Sequence, residues 1–513
     1  MHPQRRWRQF GNSAQARRSE SGFTLIELLV TITILGILAA VVVFAVSGIN
    51  DRGERSARAA DERVLRTALE AYCARHKKYA EIPELKNEKF LADDGLPRTV
   101  YHTVTTGSDE ECGEGDDSSY VISGNETTVV DSLDIPGLGP AHVAVDTDTN
   151  AVYVSNIQSE NVSIFDGNTN QHVANVPTGS GNANAKWITV NPNNNKVYAS
   201  YTNNIAVIDG TDPANPLVLE TISTAGNVSA PMVVTSTGNV YARTNSTTYV
   251  IDGASDSAST VDLGLPQPHL AAGGSRAYAV GSTSGPGVIK IIDAGGAIDE
   301  ATFNSTEPGC TQNPAPSAVC ELGPVSNMRQ PKVDAAVGRV FLHGRVSVAT
   351  PSGTANARSK VWVLNAATGA VISSYREADS TPNSSVGAYN PNTRRLHVAL
   401  DVAGAFPVRA YDVMADPAVV DLGIAPLPGP PSAVSVDSDV AVVNPNTNRL
   451  YLALFQPNPT LGSPGGLAVL DVSGTFDASG VLAGANIRGI AVNPNTNRVY
   501  AIDANGPTLH ILE

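Results

Sequence analysis

The segment Val492-Asn493-Pro494-Asn495-Thr496-Asn497-Arg498-Val499-Tyr500 is the clearest guide to the fold, because similar segments recur along the chain. Close copies run from Val190 to Tyr198 and from Val443 to Tyr451. The Asn-Pro-Asn core of each copy predicts a tight turn, since proline presets φ and asparagine tolerates left-handed backbone geometry. The apolar residues on either side predict the two strands that this turn joins.

Weaker copies extend the repeat from about Thr127 to the end of the chain. Each places an aromatic residue or a histidine in the same phase, at intervals of 37 to 63 residues: Tyr153, Tyr198, Tyr241, Tyr278, Phe341, His397, Tyr451 and Tyr500. A second phase places a strand with a polar ending in each copy: Val162–Asp166, Ile205–Asp209, Tyr249–Asp252, Ile289–Asp293, Val361–Asn365, Arg409–Asp412, Leu467–Asp471 and Leu509–Glu513. Four-stranded propeller blades repeat every 40–45 residues or so. The sequence therefore predicts a mainly β protein with an eight-bladed β-propeller, or a seven-bladed one if one weak copy is an insertion.

The eighth copy stops at Glu513, before a fourth strand can form. The segment Thr128–Gly137 reads like Gln171–Gly179, the last strand of the first complete copy. We expect this early segment to supply the missing strand, because pairing both chain ends in one blade leaves no open sheet edge.

These repeats resemble the YVTN-type β-propeller repeats found in exported proteins of prokaryotes. The resemblance covers Thr127 to Glu513 and implies a fold rather than an activity, because propellers serve many functions. The strand-ending aspartates recur in almost every copy, which is typical of turn residues rather than of catalytic carboxylates. No nucleophile elbow, phosphate loop or zinc pattern occurs. We expect the protein not to be an enzyme and to use no cofactor.

Two acidic segments are candidate calcium-binding loops, so bound calcium is the alternative to a protein without a cofactor. Asp146-Thr147-Asp148-Thr149-Asn150 begins like a calcium loop, but it lacks the glycine and the final glutamate of an EF-hand. It also aligns with the Asn-Pro-Asn turns, so we expect a turn. The loop Asp109–Asp117 has no fixed ligand spacing, and a solvated turn is the favoured interpretation there too. His397 stands in the tyrosine phase and is interpreted as a core residue.

A different feature opens the chain, where Gly22-Phe23-Thr24-Leu25-Ile26-Glu27 follows a short basic leader. From Phe23 to Val46 there are 24 residues, and Glu27 is their only charge. At about 1.5 Å per helical residue, this run can cross a bilayer core of roughly 30 Å. An ionisable group inside such a span is costly and marks a function.

This segment resembles the prepilin signal of type IV pilins and type II secretion pseudopilins. The resemblance implies that a prepilin peptidase cleaves after Gly22 and methylates Phe23, and that Glu27 serves filament assembly. Glu27 needs a partner of opposite charge once buried, and the amino group of Phe23 on a neighbouring subunit fits. A secretory signal would place its cleavage site after the apolar core, and an ordinary signal anchor explains neither Glu27 nor Gly22. Unlike many relatives, the chain has no proline between Phe23 and Ile82.

Charge indicates the orientation of this span and excludes one class of partner. Five arginines precede the span and should remain in the cytoplasm, so that everything after Val46 is exported. The formal charge is −15, and the leader carries five Arg and one Glu, or +4, which leaves −15 − 4 = −19 on the mature chain. Nucleic acid is not expected as a partner, because phosphate binding needs basic patches.

The chain has four cysteines, Cys73, Cys112, Cys310 and Cys320, and no Cys-x-x-Cys motif. An even number in an exported protein favours disulfides over metal or redox chemistry. A local Cys310–Cys320 loop would leave Cys73 to pair with Cys112. Four cysteines permit three pairings, so the other connectivities stay open.

The organisation between span and propeller is also predicted. Apolar residues at three- and four-residue steps extend the helix from Asp51 to about Tyr79, and Pro83 ends the pattern. Two strands follow, near Thr99–Thr105 and Ser119–Ser123. The predicted regions are the leader 1–22, the membrane or filament-core helix 23–46, its amphipathic continuation 47–80, a small pilin-like hairpin region 81–126, and the propeller 127–513.

Together these features predict a single-pass protein of the cytoplasmic membrane with an exported head, which enters a filament after processing. The expected function is that of a minor pilin or pseudopilin displaying a propeller for binding or adhesion. Its expected partners are the prepilin peptidase, other pilin or pseudopilin subunits, the inner membrane, and a protein or glycan bound by the propeller. The alternatives are a minor pseudopilin that recruits cargo for type II secretion and a membrane-tethered propeller enzyme.

Overall fold

A computed structural model provides the structure of the protein. It describes residues 64–80, 82–91, 102–106, 120–124, 127–179, 187–282, 285–304, 320–349, 356–377, 384–400, 408–415, 418–425, 441–454, 466–472, 478–482 and 484–513. The leader and the apolar segment 23–46, with the residues predicted to be processed there, lie outside these ranges.

The described strands from residue 129 onward form eight antiparallel sheets, the blades of a propeller. The strand nearest the centre of one blade contacts the corresponding strand of the next, all the way round the ring. The prediction of eight blades is therefore confirmed.

The strands of each blade are given from the innermost outward. Blade 1 consists of β4 Pro140–Val145, β5 Ala151–Asn156, β6 Asn161–Asp166 and β7 Gln171–Pro177. Blade 2 consists of β8 Ile188–Asn191, β9 Lys196–Tyr201, β10 Asn204–Asp209 and β11 Leu217–Ser223. Blade 3 consists of β12 Val233–Val234, β13 Val240–Arg243, β14 Thr248–Ile251 and β15 Ala258–Val261. Blade 4 consists of β16 His269–Gly273, β17 Arg276–Ser282, β18 Gly287–Ile292 and β19 Ile298–Phe303.

The other four blades follow the same order. Blade 5 consists of β20 Cys320–Ser326 with β21 Lys332–Asp334, then β22 Arg339–Ala349, β23 Asn356–Asn365 and β24 Val371–Arg376. Blade 6 consists of β25 Ser384–Asn390, β26 Arg395–Leu400, β27 Val408–Asp412 and β28 Val420–Ala425. Blade 7 consists of β29 Ala441–Asn444, β30 Arg449–Leu454, β31 Gly466–Asp471 and β32 Ala478–Val481. Blade 8 consists of β33 Ile487–Asn493, β34 Arg498–Asp503, β35 Thr508–Leu512 and β3 Val129–Asp134.

Both ends of the repeat region meet in blade 8, as the sequence predicts. Strand β3 pairs antiparallel with β35, in register from Val129 opposite Leu512 to Asp134 opposite Thr508. The backbone amides and carbonyls of Thr128 and Glu513 exchange two further hydrogen bonds, of 3.0 and 3.1 Å. The ring is therefore closed by main-chain hydrogen bonds between the beginning and the end of the propeller sequence.

The two ends of the ring carry different connections. At one end, which we name the turn face, lie the turns from the first to the second strand of each blade and from the third to the fourth. At the opposite end, the loop face, lie the connections from the second to the third strand and from each blade to the next. Because the fourth strand of a blade begins at the turn face, the chain enters the propeller there, at Thr128.

The core lies between neighbouring blades, where the predicted aromatic phase is buried. The residues of this phase, from Tyr153 to Tyr500 and including His397, are each no more than 2% exposed. Tyr198 of blade 2, for example, packs with Val240 and Ile251 of blade 3. The interpretation of His397 as a core residue agrees with its position in β26.

The Asn-Pro-Asn motifs also join neighbouring blades. In blade 8 the Oδ1 atom of Asn493 accepts the backbone N–H of Asn495 (3.0 Å), while its Nδ2 donates to Asn150 Oδ1 of blade 1 (2.6 Å). The second asparagine, Asn495, donates to the carbonyl of Thr147 (3.0 Å). The same two roles recur in blades 2, 6 and 7, at Asn191 with Asn193, Asn390 with Asn392, and Asn444 with Asn446. We call these contacts cross-blade asparagine bonds.

Asp146 occupies the first asparagine position in blade 1. Its Oδ1 accepts the backbone N–H groups of Asp148 (2.9 Å) and Thr149 (3.3 Å), which makes the predicted turn. The residue is 1% exposed, and Oδ2 has no hydrogen-bond partner within the described ranges. An acceptor therefore occupies the position at which blades 2, 6, 7 and 8 place an asparagine donor.

Asp146→Asn is accordingly expected to stabilise the protein by about 1 kcal/mol, because it supplies a donor at a buried position facing the next blade. Urea unfolding of the purified protein measures this difference. The matched control is the reverse change, Asn493→Asp, which removes the donor to Asn150 and should destabilise by a similar amount. A less stable Asp146→Asn variant would show that this carboxylate already has a compensating partner.

The region before the propeller contains two helices and a hairpin. Helix α1 is described over 64–76, and α2 spans Ile82–Asn87. Tyr72 of α1 donates to Glu84 of α2 (2.8 Å), and its ring packs against Phe90. Strands β1 His102–Thr106 and β2 Tyr120–Gly124 pair antiparallel, which confirms the predicted hairpin.

Two details of this region differ from the sequence prediction. The helix ends at residue 76 rather than near Tyr79, because Lys77 adopts a left-handed φ of 61° and its amide caps the carbonyl of Cys73 (2.8 Å). Pro83, predicted to end a helix, instead lies in the first turn of α2, where the missing N–H of proline costs nothing. Over the described residues, no helix has the length and apolar character required to cross a bilayer.

Candidate functional site

The loop face carries the longest connections of the propeller and is the candidate binding surface. Turns at the opposite face are mostly short and include the cross-blade asparagine bonds. In blades 4 to 7, proline-containing segments of the sequence connect strand ends that lie at the loop face. The strand ends fall within the described ranges, and the segments between them are 305–319, 350–355, 378–383, 401–407, 426–440 and 455–465. Binding residues are commonly found on such loops because a rigid scaffold positions them.

A cavity of about 210 Å³ occupies the loop-face half of the central channel. Its walls include Ile188 and Ile490 of the innermost strands, with Gln330 and Lys332 as polar members. His142 and Trp187 also line it, with ring centroids 4.1 Å apart. The cavity therefore combines apolar walls, aromatic rings and one cationic side chain.

Two histidines lie near Lys332 or near other cationic side chains. Burial, followed by the charges of Arg243 and Arg329, lowers the pKa of His269 to about 4. Burial, followed by the charges of Lys332, Arg329 and His269, lowers the pKa of His343 to about 3. Each of these two histidines is therefore within electrostatic range of two cationic side chains, in a chain whose net charge is −15.

Arg243 is the most unusual member of this basic group. It is 6% exposed, and NH1 donates to Ser229 Oγ (3.0 Å). Among the described residues no carboxylate forms an ion pair with it, and its Nε has no acceptor. A buried cation is costly without an anion, but Arg243 does not line the cavity. Lys332 does, and its ammonium suits a ligand that carries a carboxylate or another acidic group.

A second cavity, of about 490 Å³, opens in the turn-face half of the channel. Lys332 lines this cavity too, together with Asp334 and Tyr389. The hydroxyl of Tyr389 donates to Asp334 Oδ2 (2.8 Å), which satisfies that carboxylate. The hydrogen-bonded pair makes this half of the channel less cationic than the loop-face half.

The residues singled out from the sequence fall into two groups. Gly22, Phe23, Glu27, Cys112 and Cys310 lie outside the described residues. Cys73 and Cys320 are both disulfide-bonded, which agrees with an oxidising compartment. The pairing of the four cysteines stays a prediction.

The calcium alternatives receive no support from the described part of the chain. Asp146 forms a turn, and the loop Asp109–Asp117 lies outside the described ranges. No group of three or more His, Cys, Asp or Glu side chains with metal-binding geometry occurs among the described residues. The polar residues that do converge on the loop-face cavity, such as His142, Gln330 and Lys332, are far apart in sequence, and no local motif identifies them.

The beginning of the chain matches a known family. The prokaryotic N-terminal methylation motif covers residues 17–43, and so includes Gly22, Phe23 and Glu27. The chain therefore joins a prepilin-type N-terminal segment to an eight-bladed β-propeller.

Two secretion proteins are similar to the N-terminal part. The type II secretion system core protein G of Klebsiella michiganensis is 40% identical over 63 residues, which are 12% of this chain and 44% of that protein. The core protein G of Pseudomonas aeruginosa is 45% identical over 56 residues, 11% of this chain and 39% of that protein. The chain thus spans less than half the length of these curated relatives.

Solved structures resemble the propeller only distantly. A chain of the mitotic checkpoint complex aligns with a TM-score of 0.44 and 10% identity, covering 76% of this chain and 92% of its own length. Hydrazine synthase of Kuenenia stuttgartiensis aligns with a TM-score of 0.41 and 12% identity, covering 74% and 96%. Likenesses at these scores identify neither a ligand nor an activity.

Proposed function

We propose that the protein is a minor pilin or pseudopilin of a type IV pilus-type filament and displays its propeller as a binding or adhesion head. The observation that carries this proposal is the point of attachment. The methylation motif precedes a propeller that the chain enters at the turn face, beside Glu513. The loop face, with its long connections and cationic cavity, is thereby left at the end opposite the attachment.

The proposal assigns a sequence of partners to the N-terminal segment. A prepilin peptidase of the inner membrane cleaves after Gly22 and methylates Phe23. The helix then leaves the membrane for the filament, where Glu27 pairs with the amino group of a neighbouring Phe23. The head is exported to the periplasm or cell surface and acts in binding rather than catalysis, with a protein or glycan that carries an acidic group as its ligand.

Similarity to core protein G favours a second candidate function. In that case the subunit is a minor pseudopilin of a type II secretion system, and its head recruits cargo. Both functions require the same processing and assembly. They differ in the ligand: a secreted protein of the same cell for the pseudopilin, and an external surface for the pilin.

The processing step is tested on full-length protein isolated from its own host. Mass spectrometry is expected to find N-methylated Phe23 at the amino terminus. Glu27→Val should leave this cleavage intact and reduce incorporation into sheared filaments by tenfold or more. The reason is that breaking a buried ion pair costs about 3–5 kcal/mol, and about 1.4 kcal/mol corresponds to a tenfold change.

Glu20→Gln is the matched control, because Glu20 belongs to the leader that cleavage removes. It should be incorporated like the parent protein. An intact leader on the native protein, or equal incorporation of the Glu27→Val variant, would contradict the proposed role in a filament.

A further inference from the structure

An amine, an amide and a carboxylate meet at the boundary between blades 4 and 5. Lys360 Nζ lies 3.0 Å from Asn304 Oδ1. The same nitrogen lies 2.9 and 2.8 Å from the two carboxylate oxygens of Glu321. Asn304 follows the outermost strand of blade 4, whereas Lys360 and Glu321 belong to β23 and β20 of blade 5. Three separate elements therefore bring these three groups together.

Water is largely removed from this group. The side chains of Lys360 and Glu321 are 11% and 6% exposed, and Asn304 is 9% exposed. The indole of Trp362 covers the site, with Lys360 Nζ 5.6 Å from its centroid. Its Nε1–H donates to Asn304 Oδ1 (3.3 Å). The amide carbonyl thus accepts hydrogen bonds from both the indole and the amine.

The neighbouring boundary, between blades 5 and 6, contains an ordinary ion pair for comparison. Glu377 follows the outermost strand of blade 5, as Asn304 follows that of blade 4. Arg409 and Tyr411 belong to β27, the third strand of blade 6, as Lys360 and Trp362 belong to β23, the third strand of blade 5. Arg409 donates to Glu377 Oε2 (2.6 Å), and Tyr411 donates to Oε1 (2.6 Å). Arg409 also donates to Asp421 Oδ2 of β28 (2.7 Å). At the boundary between blades 4 and 5 an amide, Asn304, replaces Glu377, and β20 supplies the acid.

We propose that Lys360 and Asn304 form an isopeptide bond in the mature protein, with Glu321 transferring the protons. Glu321 takes a proton from the Lys360 ammonium, and the neutral amine attacks Asn304 Cγ. The Trp362 N–H stabilises the charge that develops on Oδ1, as an oxyanion-hole donor does. Glu321 returns its proton to Nδ2 and takes one from the attacking nitrogen. The Cγ–Nδ2 bond breaks, a Cγ–Nζ bond replaces it, and one ammonia molecule leaves without any oxidant or reductant.

This bond joins two blades where the sequence offers no cross-blade asparagine bond. The first turn of blade 4 contains Gly274 and Ser275 in place of the Asn-Pro-Asn motif. Arg376 also donates to Glu321 Oε1 (3.0 Å), which holds the carboxylate in position. A covalent link from Asn304 to Lys360 would keep blades 4 and 5 together when the rest of the ring is strained.

Trypsin digestion of the full-length, reduced and alkylated protein tests the proposal. Without the bond, trypsin cleaves after Lys360 and releases residues 291–329 and 361–376 as separate peptides. With it, cleavage after Lys360 fails, and 291–329 appears joined to 359–376 with the mass of one ammonia molecule missing. Lys196 is the internal control: it forms an ion pair with Asp256 (2.7 Å) at similar burial, and cleavage there should proceed. Complete cleavage after Lys360 in the parent protein overturns the proposal.

Two variants separate the chemistry from the packing. Glu321→Gln is expected to leave Lys360 and Asn304 unlinked, and Lys360→Arg must abolish the joined peptide. A joined peptide at undiminished yield in Glu321→Gln would overturn the role of Glu321. If either variant fails to fold, the digest of the parent protein still decides whether the bond exists. The proposal concerns the head alone, so its failure leaves the proposed filament function unaffected.

Discussion

Acidification from pH 7 to pH 5 is expected to destabilise the propeller by about 2 kcal/mol for each of two buried histidines. Burial lowers the pKa of His343 and of His397 from 6.5 to about 3, with smaller effects from nearby cations, Lys332 and Arg329 for the first and Arg395 for the second. Both rings are 1% exposed. Because the unfolded chain binds protons below about pH 6.5 and the folded chain does not, stability is complete above that pH and is lost as the pH falls toward 3.

Urea unfolding at pH 7 and pH 5 measures this loss. His397→Phe is the matched variant, since Phe341 occupies the same phase in blade 5, and it should remove about 2 kcal/mol from the difference between the two pH values. The comparison uses the change between pH values within each variant, so a general effect of the substitution cancels. Equal loss in the parent protein and in the variant would show that His397 is not a buried neutral group.

Arg409→Met is expected to destabilise the protein by about 3–5 kcal/mol at pH 7, because it leaves two carboxylates without their shared cation. Arg409 NH1 donates to Glu377 Oε2 (2.6 Å) and to Asp421 Oδ2 (2.7 Å). The side chain of Glu377 is only 5% exposed, and burial raises its pKa even with the arginine present. Removing the arginine raises that pKa further, so the destabilisation should diminish as the pH falls and Glu377 becomes protonated.

The double variant Arg409→Met/Glu377→Gln is the control for this prediction. It removes the buried charge together with its partner, and it keeps an acceptor for the Tyr411 hydroxyl. Most of the lost stability should return, as measured by urea unfolding. A double variant no more stable than Arg409→Met would show that packing of the arginine, rather than the charge, is what stabilises this boundary.

The sequence predicts the propeller well because each blade carries its own local signals. The Asn-Pro-Asn turns, the aromatic phase and the polar strand endings recur in step, and the closing strand predicted near Thr128–Gly137 is β3. The last residue of these turns has a left-handed φ of 50–57° at Asn150, Asn195, Asn448 and Asn497. Asparagine tolerates this conformation, which explains why it occupies the last position of the turn.

The sequence does not predict contacts between residues that belong to different blades. Asn493 Nδ2 donates a hydrogen bond to Asn150, which lies more than 300 positions away in the sequence. The local sequence explains the turn at Asn493 without this hydrogen bond, so it gives no sign of the contact. Lys360, Asn304 and Glu321 meet only because blade 5 has a divided inner strand, β20 and β21, and two unusually long strands, β22 and β23. From the sequence, the wide spacing between Tyr278 and Phe341 indicates only an insertion.

The strand Val129–Asp134 also imposes an order on folding. During synthesis it is made before the other strands of the propeller, yet its partner, Thr508–Leu512, is made after them. A nascent propeller must therefore keep an unpaired strand until Thr508–Leu512 has been synthesised. A chain truncated before Thr508 could not close the ring, so it should aggregate rather than form a slightly smaller propeller.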